Sequence, residues 1–142
     1  MARFEVDGLD ALTTDLADLA KLPDSVVDGM LNAEADVLVA EQRKTAEQML
    51  RGRGYETGAT ARSIKKGKIK KSGNDRTLYI TPTGTNARGV RNAEVAFLNE
   101  YGVKSKNIPA RPFIRTANEQ AGDRAVEASE KVLNAYLDSK NL

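Results

Sequence analysis

Leu9, Leu12, Leu16 and Leu19 recur at spacings of three and four, so one face of the segment they occupy is apolar and the pattern predicts a helix. Asp7-Gly8-Leu9-Asp10 supplies a cap and an acid for its first turn. Residues 3–6 before it read as a short strand. Pro23 suits a first helical turn, and a longer helix is expected over residues 24–50. Its stripe is Met30, Ala33, Val37 and Ala40, flanked by Val26, Val27 and Leu38, with small residues that would let another helix approach closely.

Arg51-Gly52-Arg53-Gly54 breaks that pattern, and the stretch to residue 61 has no periodicity, which predicts a mobile loop. Residues 64–71 and 76–81 then read as two strands joined by Ser72-Gly73-Asn74-Asp75. Leu78 and Ile80 share one face of the second strand. Lysines crowd the first, a common protection for an exposed edge. After a polar loop over residues 83–91, Ala93, Phe97, Leu98 and Tyr101 return at helical spacing and stop at Gly102. A strand is the alternative there, since Val95, Phe97, Asn99 and Tyr101 also alternate. Pro112 opens a last helix over residues 113–139, with a stripe of Ile114, Ala117, Ala121, Ala125, Ala128, Val132 and Tyr136. That alanine-rich face is the expected partner of the helix at 24–50.

These elements predict an α+β fold: long helices packed on a small, mainly antiparallel sheet, with a flexible basic loop and hairpin. One domain of 142 residues is expected, in three parts: 1–50, 51–82 and 83–142. A chain of this length buries about two-thirds of its unfolded surface. Four Tyr, three Phe and no Trp keep the core light.

Charge changes the picture more than size does. The net charge of +2 conceals eleven acids against four bases up to Leu50, then nine bases against Glu56 and Asp75 from Arg51 to Arg76. An acidic third followed by a basic segment can drive contact between subunits as readily as nucleic-acid binding. Good single-strand binders interleave aromatics for base stacking, and only Tyr55 and Tyr79 lie near these bases. A solvated face or an acidic protein partner therefore fits better than a dedicated DNA site.

Chemistry is sparsely supplied. With no cysteine and no histidine, the chain has no disulfide, thiolate nucleophile or imidazole base, and no cofactor or metal site is expected. Ser63-Ile64-Lys65-Lys66 has a Ser-x-x-Lys spacing but lacks the supporting Ser-Asp-Asn and Lys-Thr-Gly elements. Gly52, Gly54 and Gly58 do not make a phosphate loop. The expectation is a protein that is not an enzyme. No apolar stretch approaches the roughly 20 residues of a membrane span and no signal-peptide pattern opens the chain, so folding in a cytoplasm without membrane contact is expected. Ile108-Pro109-Ala110-Arg111-Pro112-Phe113 is the most constrained stretch: two prolines stiffen an elbow that pins the last helix and could present Arg111 and Arg115 to a neighbour.

Four blocks together resemble the siphophage tail-component family, the tail-completion, tail-terminator or head-to-tail joining proteins of long-tailed phages. They are Phe4-Glu5-Val6-Asp7-Gly8-Leu9-Asp10, Thr57-Gly58 with Ser63-Ile64, Ala93-Glu94-Val95-Ala96-Phe97-Leu98-Asn99-Glu100-Tyr101-Gly102, and Ile108-Pro109-Ala110-Arg111-Pro112-Phe113-Ile114-Arg115. The resemblance spans residues 3–117, and the last two blocks carry most of its specificity. It departs at Val103, where the family often has threonine. It implies an α+β subunit of a six-fold ring at the head–tail junction of the virion, in contact with head-completion (stopper or connector) and tail-tube proteins. It transfers no catalytic residues.

Residue chemistry, in which separated charge favours repeated directional contacts, agrees with what the resemblance implies: a structural virion protein, assembled in the bacterial host cytoplasm, that self-associates into a ring. Its expected contact residues are Arg51, Arg53, Lys65, Lys66, Lys68, Lys70, Lys71, Glu100, Arg111 and Arg115. The arm over residues 51–71 would order on docking, and in a ring threaded by genome DNA its bases would touch phosphates non-specifically. The rival expectation is a basic DNA-binding accessory protein.

Overall fold

Pro23 starts the first described helix: its carbonyl accepts from the amides of Val26 (3.0 Å) and Val27 (3.3 Å), closing the first turn. The computed structural model describes residues 22–51, 58–73 and 75–140. Helix α1 is Asp24–Met49, and a short helix α2, Ala59–Ser63, leads into strand β1, Ile64–Lys66. Strands β2 (Lys70–Ser72), β3 (Asp75–Thr77) and β4 (Ile80–Pro82) follow, then helix α3, Asn92–Tyr101. A single 3-10 turn at Lys104–Lys106 precedes the last helix, α4, Phe113–Ser139. The chain is α+β, as its pattern predicts.

Helices α1 and α4 form an antiparallel pair that organises everything else. At 1.5 Å per residue α1 is roughly 39 Å long. Ala35, Ala46, Ala117, Ala121 and Ala125 are all 2% exposed or less, so the helices meet through small side chains, as expected. Gly29 marks another close approach, where an added Cβ would stand 3.3 Å from Val132 Cγ1. The α4 stripe is the expected one: Ile114, Ala117, Ala121 and Ala125 are buried, with Ala128, Val132 and Tyr136 half-buried.

The α1 stripe is rotated from the expected one. Ala40 is exposed and Ala33 and Val37 are only half-buried; the buried face runs Val27, Met30, Leu31, Glu34, Ala35, Leu38, Glu41, Gln42, Thr45 and Ala46. Glu41 and Gln42 sit on it because α4 supplies partners, whereas the hydroxyl of Thr45 is buried without one. Gln42 donates to Asn118 Oδ1 at 2.9 Å, and Arg124 bonds Glu41 at 3.0 Å. A buried polar group with a partner escapes the desolvation penalty that would otherwise exclude it.

The basic hairpin forms in two segments. β1 pairs antiparallel with β4 (Ile64↔Pro82, Lys66↔Ile80), and β2 with β3 (Lys70↔Thr77, Ser72↔Asp75). Between them Gly67, Lys68 and Ile69 oppose Leu78 and Tyr79, one residue more on the first strand, the count that defines a bulge. The amide of Gly67 still reaches Tyr79 O at 2.7 Å. Leu78 and Ile80 are buried together, as their alternation requires. Arg43, on α1, anchors the sheet by donating from Nε (2.9 Å) and Nη2 (2.7 Å) to Ile64 O.

Two further expectations change. Residues 59–61, expected within a mobile loop, belong to α2, with Gly58 in the left-handed region at its start (φ 79°). The expected strand at 3–6, the leucine helix after it and Gly52 to Thr57 lie outside the described residues.

Glu34 is the costly member of the α1–α4 seam. It is 3% exposed, and burial raises its pKa above the ordinary glutamate value, opposed in part by a hydrogen bond with Ser129. The folded state holds this proton more tightly than the unfolded chain does. Stability is therefore full below the unfolded-state pKa and falls as pH rises from there through the raised folded value. Glu34→Gln, which keeps the shape and the Ser129 contact, is expected to raise the thermal midpoint at pH 7 and leave it nearly unchanged at pH 3. Thermal unfolding followed by circular dichroism across that range checks it.

Candidate functional site

The two blocks that carry the family resemblance fold into one joint between α3, α4 and the end of α1. Helix α3 stops at Gly102, whose φ of 72° and ψ of 178° belong to a region that only glycine occupies readily. A Cβ at this position would stand 2.7 Å from both Ala110 N and Ile108 O. The chain then makes a tight excursion closed by paired Val103 and Ile108, with hydrogen bonds of 2.9 and 3.0 Å. It returns so that Arg111 N meets Asn99 O at 2.6 Å.

Glu100 closes the joint. Its carboxylate accepts from the amides of Ile114 (2.9 Å, Oε2) and Arg115 (3.0 Å, Oε1), in the first turn of α4. Phe113 N donates to Arg111 O (2.8 Å) and Thr116 N to Pro112 O (3.0 Å), while Pro112 has no amide to satisfy. Every amide that opens α4 thus has an acceptor, and a carboxylate sits where the helix dipole favours negative charge. Arg111 does the converse for α1. Its Nη1 donates to Met49 O at 2.9 Å and Arg51 O at 3.3 Å, placing a cation against a helix C-terminus. Phe113, fully buried, fills the space beneath.

Two residues expected at a subunit contact are therefore engaged within the chain itself. Glu100 is 7% exposed and bonded to α4, and Arg111 is half-buried on α1. Arg115 is exposed, and Arg51 is exposed at the end of α1. Arg53 lies outside the described residues. Lys65, Lys66, Lys68, Lys70 and Lys71 are all exposed along the hairpin.

The sequence's charge separation is partly taken up within the chain as well. Arg76, 9% exposed, bonds Asp24 at 2.7 Å and also Asp28. Lys66 pairs with Asp36 at 2.8 Å and Lys71 with Asp24 at 3.5 Å. The last two pairs are solvent-exposed and contribute little, about 0–1 kcal/mol each. The buried guanidinium of Arg76 holds the hairpin to α1. Lys70 lies 5.7 Å from the Tyr79 ring centroid, within cation–π reach.

The apolar residues of α3 point the other way from the expected packing. Asn92, Ala96 and Glu100 form its buried face, while Phe97, Leu98 and Tyr101 are 45%, 48% and 64% exposed. Phe97 and Tyr101, one turn apart, pack in a tilted pair with ring centroids 4.8 Å apart and ring planes at 50°. Glu100 was visible in the sequence as an acid in the last turn of a helix, the wrong end for its own dipole. Such a placement signals a tie to another element.

The Ser-x-x-Lys residues do not meet as a catalytic pair. Ser63 Oγ donates to Thr60 O at 2.7 Å, and Lys66 is held by Asp36. Among the described residues no group of three or more acids gathers as metal ligands do, and no helix is long and apolar enough to cross a membrane.

No protein-family model matches the chain, and no solved structure matches it. A stretch of 59 residues is 37% identical to an uncharacterized protein of the archaeon Methanocaldococcus jannaschii, covering 42% of this chain and 44% of that protein. The chain thus spans less than half of that relative's length, too little to show a family.

Removing the Glu100 carboxylate strands two amides at the start of α4. Glu100→Ala is expected to cost about 1–3 kcal/mol in urea unfolding, with Glu100→Gln losing less. Gly102→Ala is expected to cost at least about 1–3 kcal/mol from its backbone conformation, with the clash at Ala110 adding to it. A Glu100→Ala protein as stable as wild type would show that the joint does not depend on this cap.

Proposed function

We propose that this chain is a structural subunit of a tailed-phage virion, a tail-completion or head–tail joining protein that acts as a member of a ring at the head–tail junction. The observation that carries the reading is the joint itself. The Ala-Phe-Leu-Asn-Glu-Tyr-Gly and Pro-Ala-Arg-Pro-Phe blocks make one rigid corner, pinned by Glu100 and Arg111, which holds an apolar helix face outward. A small subunit that leaves two aromatics and a leucine on one short exposed helix has a surface suited to another protein. Each is already about half-buried, so covering the rest against a partner is worth about half of the 1.5–3 kcal/mol of full burial. A pinned corner keeps that surface in one orientation, which lowers the ordering cost of repeated docking.

The partners in this reading are further copies of the chain, head-completion proteins on one side and tail-tube proteins on the other. The rival, a DNA-binding accessory protein, draws on the exposed Lys65, Lys68 and Lys70 along the hairpin. Steep loss of duplex binding with salt would favour it.

Light scattering of the protein alone, and then mixed with purified tail tubes or head connectors, tests the proposal. A ring, or a monomer recruited to tubes or connectors, is the expected result. A monomer that ignores both but binds duplex DNA would replace this reading with the rival.

A further inference from the structure

The outward face of α3 does not end at Tyr101. Lys104 and Lys106, both exposed, follow in the 3-10 turn that the Gly102 corner holds in place. Neither makes an ion pair among the described residues. An apolar patch with two lysines beside it calls for a partner surface that is acidic around an apolar centre. The chain carries one on α4.

Glu119, Asp123, Glu127 and Glu130 are all exposed, and at 100° per residue they fall within about 80° of arc on the side of α4 away from α1. None of the four makes an ion pair among the described residues, whereas the flanking Arg124 is tied to Glu41 at 3.0 Å. Val126, 39% exposed, lies at the edge of this stripe, one of the few large apolar side chains that α4 leaves open. Apart from Glu94, exposed one turn before Phe97 and Leu98, the two faces complement one another in charge and in apolar character, and they lie on different elements. Each copy can therefore offer one face to the neighbour before it and the other to the neighbour after it, the head-to-tail contact from which rings close.

We infer that the occupant of the α3 face is the acidic stripe of α4 in a second copy of this chain. Phe97, Leu98 and Tyr101 pack around the neighbour's Val126, and Lys104 and Lys106 face its carboxylates. This deepens the ring reading above and rests on it. It also gives the rigid corner a purpose, since a head-to-tail contact closes only if each copy presents its two faces at a fixed angle.

The chain contains no cysteine, so introduced thiols report without background. Leu98→Cys, Val126→Cys and the protein carrying both are treated with a short bismaleimide, alone and on tail tubes. Both positions are exposed, and unchanged circular dichroism confirms the fold. The expected result is a ladder of covalent multimers from the doubly substituted protein and none from either single variant. Lys104→Glu with Lys106→Glu is expected to weaken self-association at least about tenfold, or about 1.4 kcal/mol. Adding Asp123→Lys and Glu127→Lys to the same chain is expected to restore it. Dimers from Leu98→Cys alone would overturn the inference in favour of a two-fold contact. No ladder from a protein that self-associates in scattering would overturn it and leave the ring standing. A wild-type protein that never associates, alone or on tubes, would remove the ring and the inference together.

Discussion

The carboxylate of Glu100 on the first turn of α4 is the interaction from which the rest of this molecule's surface geometry follows. It joins the end of one helix to the start of another across a turn that Gly102 alone permits. Without it, α3 has few ties to the long helix pair, because its buried face consists of Asn92, Ala96 and Glu100. An alanine and two polar side chains bury little apolar surface, so the position of α3 rests on hydrogen bonds more than on hydrophobic packing. That inversion leaves the large apolar side chains of α3 on the outside.

The helix pair follows a similar economy. Alanines bring α1 and α4 close, and Glu34, Glu41 and Gln42 in the seam find partners on the opposite helix. Arg43, Arg76 and Arg111 each tie α1 to a different later segment: the start of β1, the far strand of the hairpin and the elbow. Guanidinium suits this use, since it offers several donors in a fixed plane and stays charged when partly buried. A chain with few aromatics thus gains positional definition from arginine.

Local signals located most of the described elements well. Pro112 and Gly102 punctuate the chain, and α4 begins and ends where the alanine periodicity says it should. Leu78 and Ile80 alternate and are buried together. Apart from the short helix at Ala59–Ser63, the misplaced features depend on partners distant in sequence. Gln42 is buried because Asn118, 76 residues away, receives it; its neighbour Glu41 is met by Arg124, 83 residues away. Periodicity identified α3 as a helix but could not say which side packs, because its apolar side is the exposed one. Glu100 and Arg111 read as surface charges for the same reason: the amides and carbonyls they serve belong to other helices. The bases of the hairpin look unopposed in the sequence, yet Asp24, Asp28 and Asp36 lie against three of them in the fold.

Amide hydrogen exchange at Ile114 and Arg115 tests the central claim most directly. Amides in the first turn of a helix have no acceptor within that helix and exchange readily when solvent is their only partner. If Glu100 holds them, both should exchange only through global unfolding, as slowly as the core amides of α4, and Glu100→Ala should release them selectively. Fast exchange at both positions in the native protein would contradict the account, because α3 would then lack the tie that orients its exposed face.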